Sequence, residues 1–214
     1  MKKLESSLKN MALALTGFSV LAGGILGWVN GVTAEPIAQA NAKILSDAIK
    51  VVVPEFDNNP ADAVETVEVD GASYKVYKAT KGGEFVGAAV ESSAMGFGGD
   101  LKVLVGFDPA GKIVDYSVLA HAETPGLGSK AGEWFKKGAK GDITGMNPGE
   151  KELVVSKDGG QVDAITASTI TSRAFLVAVN KAFKAFKNQK SEGAAPVNTE
   201  ATAETAEKTT NETK

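Results

Sequence analysis

With 214 residues, 23 Lys and Arg against 26 Asp and Glu and a net charge of -3, the chain has room for one compact domain with a membrane segment and a tail, and not for two full cores. It has no cysteine, which removes disulfides, thiolate nucleophiles and Cys-ligated iron–sulfur clusters. Its one histidine, His121, has no partner set of closely spaced carboxylates, which argues against a transition-metal site. No basic stripe interleaved with aromatics points to nucleic acid as a partner. Without cysteine, any redox chemistry would ride on an organic cofactor.

Residues 1–10 carry Lys2, Lys3 and Lys9 against Glu5, and an uncharged run follows over residues 11–34. About 20 helical residues cross a hydrocarbon layer, so this run predicts a transmembrane helix. Lysines before it predict a cytoplasmic N-terminus, with everything after Ala34 outside the cytoplasm. Gly23 and Gly27 form a small-xxx-small face for packing on another helix. Val32-Thr33-Ala34 also has the small-residue pattern of a signal-peptide cleavage site, and a cleaved leader is the alternative to a retained anchor.

Residues 35–95 are read as a membrane-proximal helix and the first strands. Ile37, Ala40, Ile44, Leu45, Ala48, Ile49 and Val52 recur at three- and four-residue steps up to Pro54, which reads as a helix over residues 36–53. Short alternating pieces over residues 66–69 and 74–79 are joined through Asp70-Gly71, a hairpin signal. Lys81-Gly82-Gly83-Glu84 is a further turn, with a strand over residues 85–90. Met95-Gly96-Phe97-Gly98-Gly99-Asp100 does not precede a helix, so it lacks the context of a phosphate loop and reads as a close backbone approach before a strand over residues 101–107. Asp108-Pro109-Ala110-Gly111 turns the chain into an antiparallel partner over residues 112–119.

His121-Ala122-Glu123-Thr124-Pro125-Gly126-Leu127-Gly128 is a loop whose Pro and Gly positions fix its shape. Residues 131–137 form a short helical piece with Trp134 and Phe135 assigned to the core. Residues 152–155 read as another strand. The stretch Asp163-Ala164-Ile165-Thr166-Ala167-Ser168-Thr169-Ile170-Thr171-Ser172-Arg173 is dense in hydroxyls and opens into an apolar run whose stripe is Ile170, Ala174, Phe175, Ala178, Val179, Ala182, Phe183 and Phe186. Unpaired N–H groups at a helix start take either a Ser or Thr cap or a phosphate, and the residues alone leave both open. Residues 188–214, a Thr, Ala, Glu and Lys mixture, predict a disordered tail.

Asp163-x-x-Thr166-Ala167-Ser168-Thr169 resembles the recognition sequence of flavin transferases, which esterify FMN through its phosphate onto the final hydroxyl. Glu123 to Gly128 resembles the Glu-Thr-Pro-Gly-Leu-Gly loop of the same FMN-binding domain, and Lys157-Asp158-Gly159-Gly160 stands at the usual short distance before the attachment turn. In this order the three are similar to the G subunit of the Rnf (Rsx) ion-translocating ferredoxin:NAD oxidoreductase, a relative of the C subunit of the Na+-translocating NADH:quinone reductase. Ala167-Ser168 departs from the family's Gly-Ala, and Ala167 suits the turn poorly if a positive φ is required there.

The resemblance implies an α+β chain with one N-terminal transmembrane helix, then an extracytoplasmic FMN-binding domain with a mainly antiparallel sheet and flanking helices, its core over residues 96–187. It implies covalent FMN, a phosphoester on Thr169, with Asp163, Thr166, Ala167, Ser168 and Thr169 as the modification motif. Glu123, Thr124, Gly126, Leu127, Thr166, Ser168 and Arg173 are the implied cofactor contacts: Glu123 and Thr124 at the polar edge of the ring, Leu127 on its face, Arg173 beside the phosphate. Implied partners are the other membrane subunits of the Rnf complex and a flavin transferase for maturation. The implied role is electron transfer, without stand-alone catalysis, in a bacterial inner membrane. The alternatives are the C subunit of the Na+-translocating NADH:quinone reductase and a non-redox membrane-anchored assembly module using the turn only as a cap, and a Ser-based hydrolase at Ser168 ranks last because no nucleophile-elbow pattern or second histidine is present.

Overall fold

A computed structural model describes residues 8–61 and 64–192. Residues 1–7 of the expected cytoplasmic segment and residues 193–214 of the expected tail lie outside the described residues.

Helix α1 (Leu8–Val52) is continuous through Pro36, where two helices, over residues 11–34 and 36–53, were expected. Proline removes one helical amide and crowds the preceding turn, yet the helix runs on through it, and only its last turns, from Leu45 onward, pack on the sheet. The strands β1 (Val64–Val69), β2 (Ala72–Lys81), β3 (Glu84–Met95), β4 (Asp100–Phe107) and β5 (Ile113–Ala120) pair in chain order into one antiparallel sheet. Two-residue turns set the first registers. Asp70 and Gly71 lie at φ 52° and 77°, Gly82 and Gly83 at 60° and 84°, the left-handed pairs that match strand twist in a hairpin.

One face of the sheet packs on α3 (Thr169–Glu192), which continues past Lys187. Phe175 stacks on Phe135 at 4.3 Å and meets Tyr116 edge-on at 4.7 Å, while Phe107 contacts Phe183 and Phe186. Phe135 therefore fills the core, as expected. The other face packs on the last turns of α1 through Ala48, Ile49, Val52, Tyr77, Ala79 and Leu104. Gly106 lets the helix come this close: a Cβ there would stand 1.6 Å from the Val52 carbonyl oxygen.

The expected strand over residues 152–155 is absent. Val155 makes a single parallel bridge to Val162, and the Asn180 side chain takes the place of a neighbouring strand, accepting from Leu153 N at 3.1 Å and donating to Leu153 O at 2.9 Å. One amide side chain has the donor and acceptor that a strand would supply.

Both long helices run parallel to β4. Asn41 and Leu45 lie beside Lys102 at its start and Val52 beside Gly106 near its end. Ile170 lies by Met95 at the start of β4, and Phe183 by Phe107 at its end. The exposed apolar turns of α1, which are long and apolar enough to cross a membrane, thus leave the domain at the end that carries the first turn of α3.

Candidate functional site

Three segments meet at that end: the glycine-rich loop after β3, the loop after β5 and the turn into α3. Glu123 holds them together. It is 6% exposed; its Oε2 accepts from Thr171 Oγ1 at 2.7 Å, and its Oε1 accepts from Phe97 N at 2.8 Å and Gly98 N at 3.4 Å. Gly96 and Gly128 are glycines because a Cβ would stand 2.0 and 2.4 Å from those two oxygens. The carboxylate, expected at the edge of a flavin, braces these loops internally and also lines the cavity they enclose. His121 Nδ1 accepts from Glu123 N at 3.2 Å, which orients the loop start.

The loop after β5 folds on itself. Leu127 N and Ser129 N donate to Thr124 O, and Gly126, at φ 76°, donates to Ser129 Oγ at 2.9 Å. This turns Thr124 and Leu127 outward over a cavity of about 360 Å³ lined also by Phe97, Glu123, Ala167, Ser168, Thr169, Ile170 and Thr171. Gly126, Asp163, Thr166 and Arg173 lie outside that lining.

The turn into α3 is held from inside the helix. Buried Ser172 Oγ accepts from Ile165 N and donates to Ser168 O, both at 2.9 Å. Trp134 Nε1 donates to Asp163 O at 2.9 Å and Ser156 Oγ to Asp163 Oδ1 at 3.0 Å. Ala167 does adopt a positive φ, 62°. An L residue with a Cβ is strained there by about 1–2 kcal/mol. Thr169, half-buried, lines the cavity, and its Oγ1 accepts from Lys157 Nζ at 3.2 Å.

The Arg173 guanidinium is taken up by Asp158. Its Nε and a terminal nitrogen donate to the two Asp158 oxygens at 2.6 and 2.7 Å. That guanidinium holds the Asp158 carboxyl below the usual carboxylate range, and Lys157 adds to the effect. Sequence reasoning gave no role to Phe97, 69% exposed on the cavity rim, to the Lys157 ammonium or to the Ser172 lock. The Gly-aromatic-Gly signal was visible for Phe97, Lys157-Asp158-Gly159-Gly160 for Lys157 and the hydroxyl-dense stretch for Ser172, but none of them told which atoms would meet.

The walls suit a planar ring with a polar edge and an anionic tail. Phe97, Leu127 and Ile170 offer apolar surface, Thr124, Ser168 and Thr169 offer hydroxyls at one margin, and the α3 N-terminus lies beneath. Residues 96–184 match the FMN-binding domain family, so the site belongs to a flavin-binding domain joined to an apolar helix. Over its length the chain is 32% identical to the G subunit of the ion-translocating oxidoreductase complex of Cereibacter sphaeroides, across 90% of each chain. It is 34% identical to that of Shewanella piezotolerans, across 87% of this chain and 92% of the relative, and 33% identical to that of Vibrio cholerae, across 83% and 89%. The chain belongs to the family of G subunits of ion-translocating oxidoreductase complexes.

Proposed function

We propose that the protein is an electron-transfer subunit of a membrane ion-translocating oxidoreductase of the Rnf type, carrying FMN as a phosphodiester on Thr169. The observation that carries this reading is Thr169, which lines an apolar-walled cavity from the first turn of a 24-residue helix. Bound FMN supplies the capacity to accept and pass electrons. The chain fixes its position and surroundings. The α3 N-terminus offsets the phosphodiester charge by roughly 0.3–1 kcal/mol. Thr124 and Ser168 offer hydrogen bonds at the polar margin, and Phe97, Leu127 and Ile170 keep water from the apolar faces. A covalent tether retains the group in a cavity open enough for electron exchange.

Helix α1 is read as a retained single-span anchor in a bacterial inner membrane, with the N-terminus cytoplasmic and the domain on the other side. Residues 96–187 are read as the flavin-binding core, matured by a flavin transferase and working with the other membrane subunits of its complex. Co-expression with a flavin transferase tests this directly. The wild-type band is expected to fluoresce after denaturing electrophoresis, with the modified peptide mapping to Thr169 and no fluorescence from Thr169→Ala. A wild-type mass equal to the sum of its amino acids would remove the electron-carrier role.

A further inference from the structure

Two cations flank the attachment turn, and they are differently placed. Arg173 is committed to Asp158 by two short hydrogen bonds, whereas the Lys157 ammonium stands 3.2 Å from Thr169 Oγ1. We infer that Lys157 is a positioning residue for flavin attachment: it orients the Thr169 hydroxyl for phosphoryl transfer and then neutralises the phosphodiester formed there. This rests on the reading of Thr169 as the attachment point.

Lys157 is held by rigid backbone. It lies in the short 3-10 turn Ser156–Asp158, where Asp158 N donates to Val155 O at 2.9 Å and Gly159 N to Ser156 O at 3.1 Å. Gly160 closes the turn so tightly that a Cβ would stand 2.0 Å from Val154 O. The Val155 to Val162 bridge and the Ser156 to Asp163 hydrogen bond fasten this turn to the chain entering α3. Asp158 is the anion that would otherwise compete for Lys157, and Arg173 satisfies it. The ammonium therefore remains directed at Thr169, which lies 12 residues downstream.

In the step itself, Thr169 Oγ1 forms a bond to the FMN-side phosphorus of a flavin dinucleotide. The pyrophosphate P–O bond breaks, a nucleoside monophosphate leaves with the electron pair, and the hydroxyl proton passes to a base of the transferase or to water. No oxidation or reduction occurs. Negative charge builds on Oγ1 as the proton leaves, and a diester anion persists afterwards, both beside the ammonium. A charge-assisted hydrogen bond of this kind is worth roughly tenfold or more in rate.

The test uses full-length protein in detergent with a flavin transferase and flavin adenine dinucleotide, following in-gel fluorescence over time. Lys157→Gln is expected to lower kcat for attachment about tenfold with KM for the dinucleotide little changed, and Lys157→Arg to restore most of the rate. Its circular dichroism and melting midpoint are expected to match wild type. Arg173→Gln is expected to slow attachment because Asp158 then captures Lys157, and adding Asp158→Asn is expected to restore it. Equal rates for wild type and Lys157→Gln, no rescue by Lys157→Arg, or no restoration in the double variant overturns the inference alone. A wild type that acquires no fluorescence overturns the attachment reading and the inference with it.

Discussion

Glu123 and Thr171, 48 residues apart in sequence, meet at 2.7 Å in the interior, 6% and 1% exposed. The same carboxylate accepts the Phe97 amide, so one side chain fastens the two loops of the site to the helix that carries Thr169. Glu123→Ala leaves a hydroxyl and an amide without their acceptor, at a cost of about 3 kcal/mol. A fall of roughly 6–12 °C in melting midpoint is expected. Glu123→Gln should lose less than half of that, because its carbonyl can accept the amide while the Thr171 hydroxyl turns to accept from the new NH2. Equal losses for the two variants would show that the charged carboxylate with two acceptor oxygens, and not the shape that glutamine keeps, is what the position supplies.

Local features were legible in the sequence and long-range ones were not. The sheet could be read because each hairpin declares itself, Asp70-Gly71 and Gly82-Gly83 both placing two left-handed residues between alternating strands. Residues 152–155 misled because an apolar, β-branched run reads as a strand whether its partner is another strand or, as here, the Asn180 amide. The helix start at Thr169 was legible in the hydroxyl-dense turn, and the positive φ of Ala167 in its departure from the family's glycine. The inward turn of Glu123, the pairing of Arg173 with Asp158 and the approach of Lys157 to Thr169 depend on tertiary contacts 48, 15 and 12 residues apart. No local pattern encodes those.

Ala167 is a site for stabilisation. Its φ of 62° suits glycine, and relief of that strain outweighs the added freedom of the unfolded chain, so Ala167→Gly is expected to gain about 0.5–1 kcal/mol. Ala167→Val, β-branched at a positive φ, is expected to lose more than about 1 kcal/mol. Urea midpoints of the three proteins, with unchanged slopes, check the ranking.

Gly106 tests the seat of α1. Alanine there puts a Cβ 1.6 Å from the Val52 carbonyl oxygen, so the helix end has to lift from β4 and loosen the packing of Ala48, Ile49 and Leu104. Gly106→Ala is expected to cost about 3 kcal/mol or more and to open the connection after Val53 to limited proteolysis. Gly132, in α2 (Ala131–Trp134) with nothing within 4 Å of an added Cβ, is the control. Gly132→Ala is expected to be neutral or slightly stabilising.

The Asp158 and Arg173 pair predicts an acid limb. The folded pKa of Asp158 lies below the ordinary value. Its contribution is therefore complete above the ordinary carboxylate range, near pH ~4, and is lost as pH falls through the lowered folded value. Side-chain exposures of 50% for Arg173 and 35% for Asp158 mean that solvent and salt screen the pair. Melting midpoints of wild type and Asp158→Asn should differ at pH 7 in low salt, and the gap should close as pH falls through the lowered folded value and shrink in about 1 M NaCl. A gap that stays constant across pH would assign the effect to packing.

The three hydroxyls of the first α3 turn separate attachment from folding. Thr169 is half-buried on the cavity, whereas Thr171 and Ser172 are 1% and 0% exposed and point at Glu123 and at the backbone of the preceding turn. A transferase reaches Thr169 without disturbing the helix; reaching either of the others requires the turn to unfold. Thr171→Ala and Ser172→Ala each strand a buried partner and should lower stability by about 1–3 kcal/mol, yet keep full flavin content per folded molecule. Thr169→Ala should do the reverse, leaving the melting midpoint of the unmodified protein within about 1 °C of wild type while removing the flavin. Flavin absorbance per mole, read beside the melting curve of each purified variant, distinguishes the two patterns. A flavin lost from Thr171→Ala in a protein that still melts cooperatively would move the attachment atom one turn-face away from where this geometry puts it.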